Sequence, residues 1–345
     1  MRRGRSDLVC QMRADPISVL HGARLVRRGR LAGLTLVLVL LMVLSACGAS
    51  GPDQRLRVMV PNSPGGGFDV TARTAVKIAE TTGVTDAVEV FNLSGGGGVL
   101  ALSRLMHENG NPDLVMMMGL GVIGATVTGK STASVTDATP IARLIEEQEG
   151  VMVRADSPYL TIGDLMQAWR ANPEEFVVGG GSANGGPDHL MSLQLAEAVG
   201  IDAGRITYKS YDGGGKLLPA VLSRDVDFAA SGVREYTQQI KSGQLRVLAV
   251  SGSTPVPNLD APTLTESGID VVFANWRGVI APPGITTAEK DALIGTFTAL
   301  DRTPEWQAEL TRNGWTDALM TGDEFGVFLA DQDRSVAATL HEHGL

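Results

Sequence analysis

The chain has 345 residues, with 29 Lys and Arg against 38 Asp and Glu for a formal net charge of −9, and 42 glycines. That acidic balance excludes a nucleic-acid binder, which needs a basic face against phosphate. Its two cysteines, Cys10 and Cys47, provide no disulfide framework for the body of the chain.

Residues 1–30 hold eight Arg against Asp7 and Asp15. The uncharged run LAGLTLVLVLLMVLSA follows over 31–46, then Cys47 and three small residues. A basic region, an apolar core too short to span a bilayer and a small-residue exit predict an export signal over 1–46. Leu44-Ser45-Ala46-Cys47 also resembles the bacterial lipobox, which implies lipid on Cys47 and a place at the outer face of the cell membrane. Residues 47–54 then form a short tether. Without residues 1–46 the chain keeps 21 basic and 36 acidic residues, a charge of −15.

Beyond the tether, apolar runs alternate with amphipathic stretches. Strands are expected at 56–60, 87–91, 114–118, 150–153, 176–178, 205–208, 226–230, 245–250 and 271–273. Helices are expected at 69–81, 98–108, 161–171, 188–198, 216–222, 236–241, 287–298, 304–313 and 323–341. This alternation predicts α/β layers with mostly parallel sheets. The pattern runs twice, which suggests two lobes with a ligand cleft between them: a first lobe from 55 to 152, a second from 153 to 262, and a return to the first over 263–345. Loops at strand C-termini line such clefts.

Four glycine loops sit at strand-to-helix junctions. They are Pro61–Asp69 (loop one), Asn92–Gly98 (loop two), Gly179–Gly186 (loop three) and Tyr211–Gly215 (loop four). One glycine run is most simply a connector. Four, split between two lobes, present backbone N–H groups and helix N-termini suited to an anion.

Other motifs carry less. Gly124–Ser131 fits the phosphate-loop pattern GxxxxGK[ST], and Gly119–Gly124 fits GxGxxG. Both need a firm helix after them, and STASVTDATP is poor helix material. Gly180–Asn184 nearly matches GxSxG, which makes Ser182 the nucleophile of an alternative reading, an exported serine hydrolase. The basic partners available to it are His189 at a helix start and the terminal pair His341 and His343. Neither a metal-ligand spacing nor a carboxylate constellation stands out, so the chain is read as a non-enzyme without metal or cofactor.

Taken in order, VPNSPGGGFDVTAR (60–73), FNLSGGGG (91–98), TPIARL (139–144), GGGSANGGPDHL (179–190), TYKSYDGGGKLLPAVLSRDVDFAASG (207–232), PTLTESG (262–268) and NWRGVIAPPGI (275–285) resemble the periplasmic receptors of tripartite tricarboxylate transporters. Those are type II periplasmic binding proteins. The resemblance implies a monomeric, two-lobed α/β solute receptor that captures a small organic anion, a di- or tricarboxylate, for a membrane permease. A ligand-sensing receptor without transport is the related alternative. Carried over by position, it implies ligand contacts from Ser63, Gly65, Gly66 and Phe68 in loop one and from Gly96 and Gly97 in loop two. The second lobe would supply Ser182, Asn184, Asp212, Gly213, Gly214 and Ser231. Phe68 stands where the family usually has a small polar residue, and Leu93-Ser94 where a basic–proline pair is common. Whether Phe68, Tyr211 and Trp276 wall the cleft stays open at this level.

Overall fold

The computed structural model describes residues 55–344. The predicted export signal, Cys47 and the tether lie outside them.

Two sheets share one strand. In the first, β1 (Arg57–Val60) lies between β2 (Glu89–Asn92) and β3 (Leu114–Gly119), all parallel. Antiparallel β9 (Ala274–Ala281), β4 (Thr139–Arg154) and β10 (Thr316–Thr321) complete it beyond β3. In the second sheet, β5 (Val177–Gly180) lies between β6 (Thr207–Ser210) and β7 (Phe228–Gly232), again parallel. The far half of β4 and then β8 (Leu245–Val250) follow, antiparallel. The order is thus β2-β1-β3-β9-β4-β10 in one lobe and β6-β5-β7-β4-β8 in the other, the two-lobed α/β architecture expected from sequence, with sheets that are mixed rather than mostly parallel.

The sixteen residues of β4 pair with β9 up to Gln148 and with β7 from Glu149 onward. The chain returns to the first sheet through residues 251–273, where fully buried Ser251 ties the crossings together. Its N–H donates to Glu149 O (2.9 Å) and its Oγ accepts from Glu149 N (3.0 Å). The same hydroxyl donates to Phe273 O (2.7 Å).

Helices cover the sheets. In α1 (Gly67–Thr81), Ala72, Ala75, Ile78 and Ala79 recur at helical spacing and are buried. The others are α2 (Val99–His107), α3 (Leu120–Thr128), α4 (Ile162–Ala171), α5 (Pro187–Ala198), α6 (Gly214–Ser223), α7 (Thr237–Lys241), α8 (Thr287–Asp301), α9 (Pro304–Asn313) and α10 (Gly322–Glu342). Reciprocal capping closes the start of α4. Thr161 Oγ1 accepts from Asp164 N (3.1 Å), while Thr161 N donates to Asp164 Oδ2 (2.9 Å). Among the described residues no helix is long and apolar enough to cross a membrane.

The sequence reading missed several elements. Strand β4 begins at Thr139 rather than at Gly150, the strand expected at 271–273 is absent and β9 starts just after it, and β10 has no counterpart among the expected strands. Helix α3 forms across the two formal nucleotide motifs. It ends at Thr128, so Lys130 follows a helix instead of opening one, the reverse of a phosphate loop. Its weak propensity is overridden by burial, since Leu120, Val122, Ile123, Gly124, Ala125 and Thr126 are all buried.

Candidate functional site

Loops one and three are built alike. Leaving β1, the chain takes Gly65 through a left-handed conformation (φ +84°), and extended Gly66 caps α1. Gly66 N–H donates to Ser63 O (3.1 Å) and Gly65 N–H to Asp69 Oδ2 (2.9 Å). Leaving β5, Gly185 (φ +82°) and extended Gly186 repeat the path into α5. Gly186 N–H donates to Ala183 O (2.8 Å) and Gly185 N–H to His189 Nδ1 (3.0 Å).

The two acceptors differ in chemistry. Asp69 is buried, and its Oδ1 also accepts from Arg73 Nε (2.9 Å) and Asn92 Nδ2 (2.8 Å). Burial alone would raise its pKa, but these bonds outweigh it and hold the carboxyl below its ordinary range. His189 is buried against Tyr208, ring centroids 4.3 Å apart. Burial, with His343 adding repulsion, lowers its pKa to about 4, so it is the neutral ring that accepts from Gly185.

Loop two threads four consecutive glycines at positive φ, Gly95 to Gly98. A side chain at Gly97 would strike Ala125, so only glycine lets this loop run against α3. In loop four, Gly213 N–H donates to Gly181 O (2.8 Å), and Gly214 N–H donates to Glu235 Oε2 (3.1 Å).

The lobes touch through these loops. Ser63 Oγ donates to Asp212 Oδ2 (3.1 Å) and lies 3.5 Å from Ser94 Oγ. Thr128 Oγ1 is 3.4 Å from Asn184 O. A Cβ at Gly124 would collide with the Gly185 carbonyl, so α3 packs on loop three only because it carries glycine there. The sequence-predicted residues Ser63, Asn184 and Asp212 therefore lie on the facing surfaces, as does Gly97, where a Cβ would come within 3.7 Å of Ala183 in loop three.

The others are placed as follows. The N–H groups of Gly65 and Gly66 serve their own turn, while those of Gly67 and Phe68 open α1 and have no intrahelical acceptor. The Phe68 ring rests beside Gly119 and Gly121 at the end of β3. Gly96 is exposed in loop two. Ser182 Oγ accepts from Asp188 N (3.1 Å) and lies 3.4 Å from Tyr208 OH, a capping role at the head of α5. Ser231 is buried, 3.5 Å from Tyr236 OH. Trp276 belongs to the core instead of a cleft wall: it packs edge-on to Phe325 and Phe328, and its Nε1 donates to Gln332 Oε1 (3.1 Å).

Sequence reasoning missed a group of acids at the strand crossing. Glu147 forms a buried ion pair with Arg277, which also donates to Thr71 Oγ1 (3.0 Å) and sits against Gly67. Glu149 is fully buried, with neither carboxylate oxygen hydrogen-bonded. Burial, then the charges of Asp188, Glu147 and Glu235, raises its pKa well above the carboxylate range. Asp188 Oδ2 accepts from Gly181 N (2.7 Å), and burial raises that carboxyl too. Glu235 is open to solvent on one side yet surrounded by protein on the others, and burial with Glu147 brings it up to about 7. The available signal was IEEQEGVMV, which interrupts an otherwise apolar strand with acids at 147 and 149, two apart and therefore on one face.

Comparisons with known proteins agree with this architecture. The family described as "Tripartite tricarboxylate transporter family receptor" matches residues 71–345. A Cupriavidus necator protein, "UPF0065 protein in gbd 5'region", is 25% identical over 299 residues, covering 85% of this chain and 89% of that protein. Among solved structures, Rhodopseudomonas palustris Rpa4515 with adipate superposes with a TM-score of 0.75 at 20% identity, over 86% of this chain and 99% of that one. Malate-bound MatC of the same organism gives 0.72 at 22% identity, over 84% and 99%. With the fold, the paired turns and the family match in agreement, the chain belongs to the tripartite tricarboxylate transporter receptor family.

Proposed function

We propose that this chain is an exported, lipid-anchored monomer that closes on a small organic anion, a di- or tricarboxylate, and delivers it to a membrane permease. The observation carrying this reading is the pair of equivalent turns, one in each lobe, at a seam where Ser63 of loop one reaches Asp212 of loop four. Helix N-termini at loops one and two offer N–H groups to a carboxylate, each end contributing ~0.3–1 kcal/mol and more when partly buried. Local dipoles are what such a site needs, since the chain as a whole is acidic. The acids named for the two Rhodopseudomonas structures, malate and adipate, support this ligand class. The basic, apolar and small-residue order of 1–47 supports export and lipid attachment at Cys47.

Thermal denaturation of the purified full-length chain in detergent tests the reading, with mono-, di- and tricarboxylates as ligands. A ligand bound by the folded form alone, at a hundredfold excess over Kd, adds about 2.7 kcal/mol of stability. A rise confined to one acid class identifies the cargo. The reading fails if no acid raises Tm and mass spectrometry of the denatured protein finds no organic acid carried through purification.

A further inference from the structure

The two lobes bring opposite electrostatics to the gap between them. On the first lobe the charge of Asp69 is consumed by Gly65, Arg73 and Asn92, and the amides that open α1 remain directed outward. On the second lobe the positions an anion would use are already occupied by the chain's own carboxylates. Glu235 holds the Gly214 N–H at the head of α6, and Asp188 holds the Gly181 N–H ahead of α5. Asp212 adds an exposed carboxylate beside Ser63.

Charge compensation is incomplete. The cation reaching this group is Arg277, which is paired with Glu147. Among the described residues no salt bridge reaches Asp188, Glu149 or Glu235. Glu149 gives the independent sign that this group is short of partners, because both its oxygens are buried and unpartnered inside it.

We infer that the cargo is dipolar: an organic acid whose carboxylate faces the first-lobe turns and whose other end carries a protonated nitrogen docked on the Glu235 and Asp212 side of the second lobe. This rests on the receptor reading above and revises the ligand's far end, an ammonium taking the place of the second carboxylate. A second carboxylate there would meet Glu235 and Asp212 directly, with the Asp188 and Glu149 carboxyls behind them. An ammonium would satisfy the first pair and lower the energy of ionising the second.

The test uses matched acids that differ by one carboxylate replaced with an ammonium: glutarate against 4-aminobutyrate, and adipate against 5-aminopentanoate. Calorimetric titration of the full-length chain in detergent measures each. The amino acid of each pair is expected to bind at least tenfold tighter than its diacid. Glu235→Gln is expected to remove about tenfold of that preference while leaving diacid affinity equal or improved. Asp212→Asn, at an exposed position that bears no fold contact beyond Ser63, repeats the measurement without risk to folding. Diacids binding as tightly as their amino partners, or variants that weaken both classes equally, overturn the inference and leave the receptor reading standing. No binding by any of the four acids, together with no Tm rise in the wider acid screen, overturns both.

Discussion

Loop one and loop three trace one backbone path with different chemistry at its closing point. Gly65 and Gly185 are both left-handed, Gly66 and Gly186 both cap a helix, and the residue four places after each left-handed glycine receives its N–H. That residue is an ionised carboxylate in one lobe and a neutral imidazole in the other. In the first lobe the closing charge is balanced locally by Arg73 and Asn92. In the second, the neighbouring acids Asp188 and Glu235 fill the helix starts instead. A shared turn therefore fixes geometry, while the residues around it decide which charge the lobe presents.

The comparison breaks most sharply at Asp69. Asp69→Ala leaves the Gly65 N–H without its acceptor in a buried place, takes one of two acceptors from the Asn92 amide, and should cost about 3 kcal/mol. His189→Ala removes one neutral bond and a ring, and should cost less; urea midpoints of the two variants give the ranking. Equal costs would mean that the acceptor's charge is irrelevant to the turn. Next comes the contact between the lobes. Gly124→Val puts a branched side chain into the Gly185 carbonyl, so closure should fail and carboxylate affinity should fall about a hundredfold, equivalent to about 2.7 kcal/mol. The unliganded Tm should stay near that of the parent, and small-angle scattering should show an open form even with ligand.

The smallest effect is in pH dependence, where the lobe-two groups oppose one another. His189 titrates near 6.5 when unfolded and at about 4 when folded, so the unfolded chain binds more protons between those values and stability rises with pH there. Glu235 titrates near 4.5 when unfolded and at about 7 when folded, so its contribution is present at acid pH and is lost as pH rises toward 7. Glu235→Gln retains an acceptor for Gly214 and should raise Tm by a few degrees at pH 8, with little change at pH 5. The solvent-open face of Glu235 screens the effect and keeps it small. His189→Gln removes the rising contribution, so its stability should fall more steeply with pH than the parent's between pH 4.5 and 6.5. An unchanged profile in both variants would remove these groups from the account.

Much of the fold was legible because its punctuation is local. Strand, glycine turn and helix start are adjacent in sequence at Val60–Phe68 and at Gly180–Asp188, so the turns and their lobes could be read directly. The crossing strands were harder. Residues 139–149 carry Pro140, Arg143 and four acidic or amide residues in a row after Ile145, a pattern that resembles an exposed loop. Their strand character comes from β9 and β10 on either side, contacts more than a hundred residues away. Helix α3 was hidden for a related reason: Gly121 and Gly124 lower its propensity, and the need for glycine at 124 comes from Gly185 in the other lobe. The acid group shows in sequence only as the acids of IEEQEGVMV, because Asp188, Glu235 and Arg277 are brought to Glu147 only by the crossing.

The shared strand also governs how the molecule comes apart. Glu149 and its neighbours in β4 are hydrogen-bonded into the second sheet while residues just before them are bonded into the first, and Ser251 fastens Glu149 to the return segment at Phe273. Neither lobe can melt without stripping partners from the other, so the pair is bound into one cooperative unit. Heat should produce a single calorimetric transition over residues 55–344. A backbone cleaved between Gln148 and Glu149 would have to reassemble as a two-fragment complex to recover either fold.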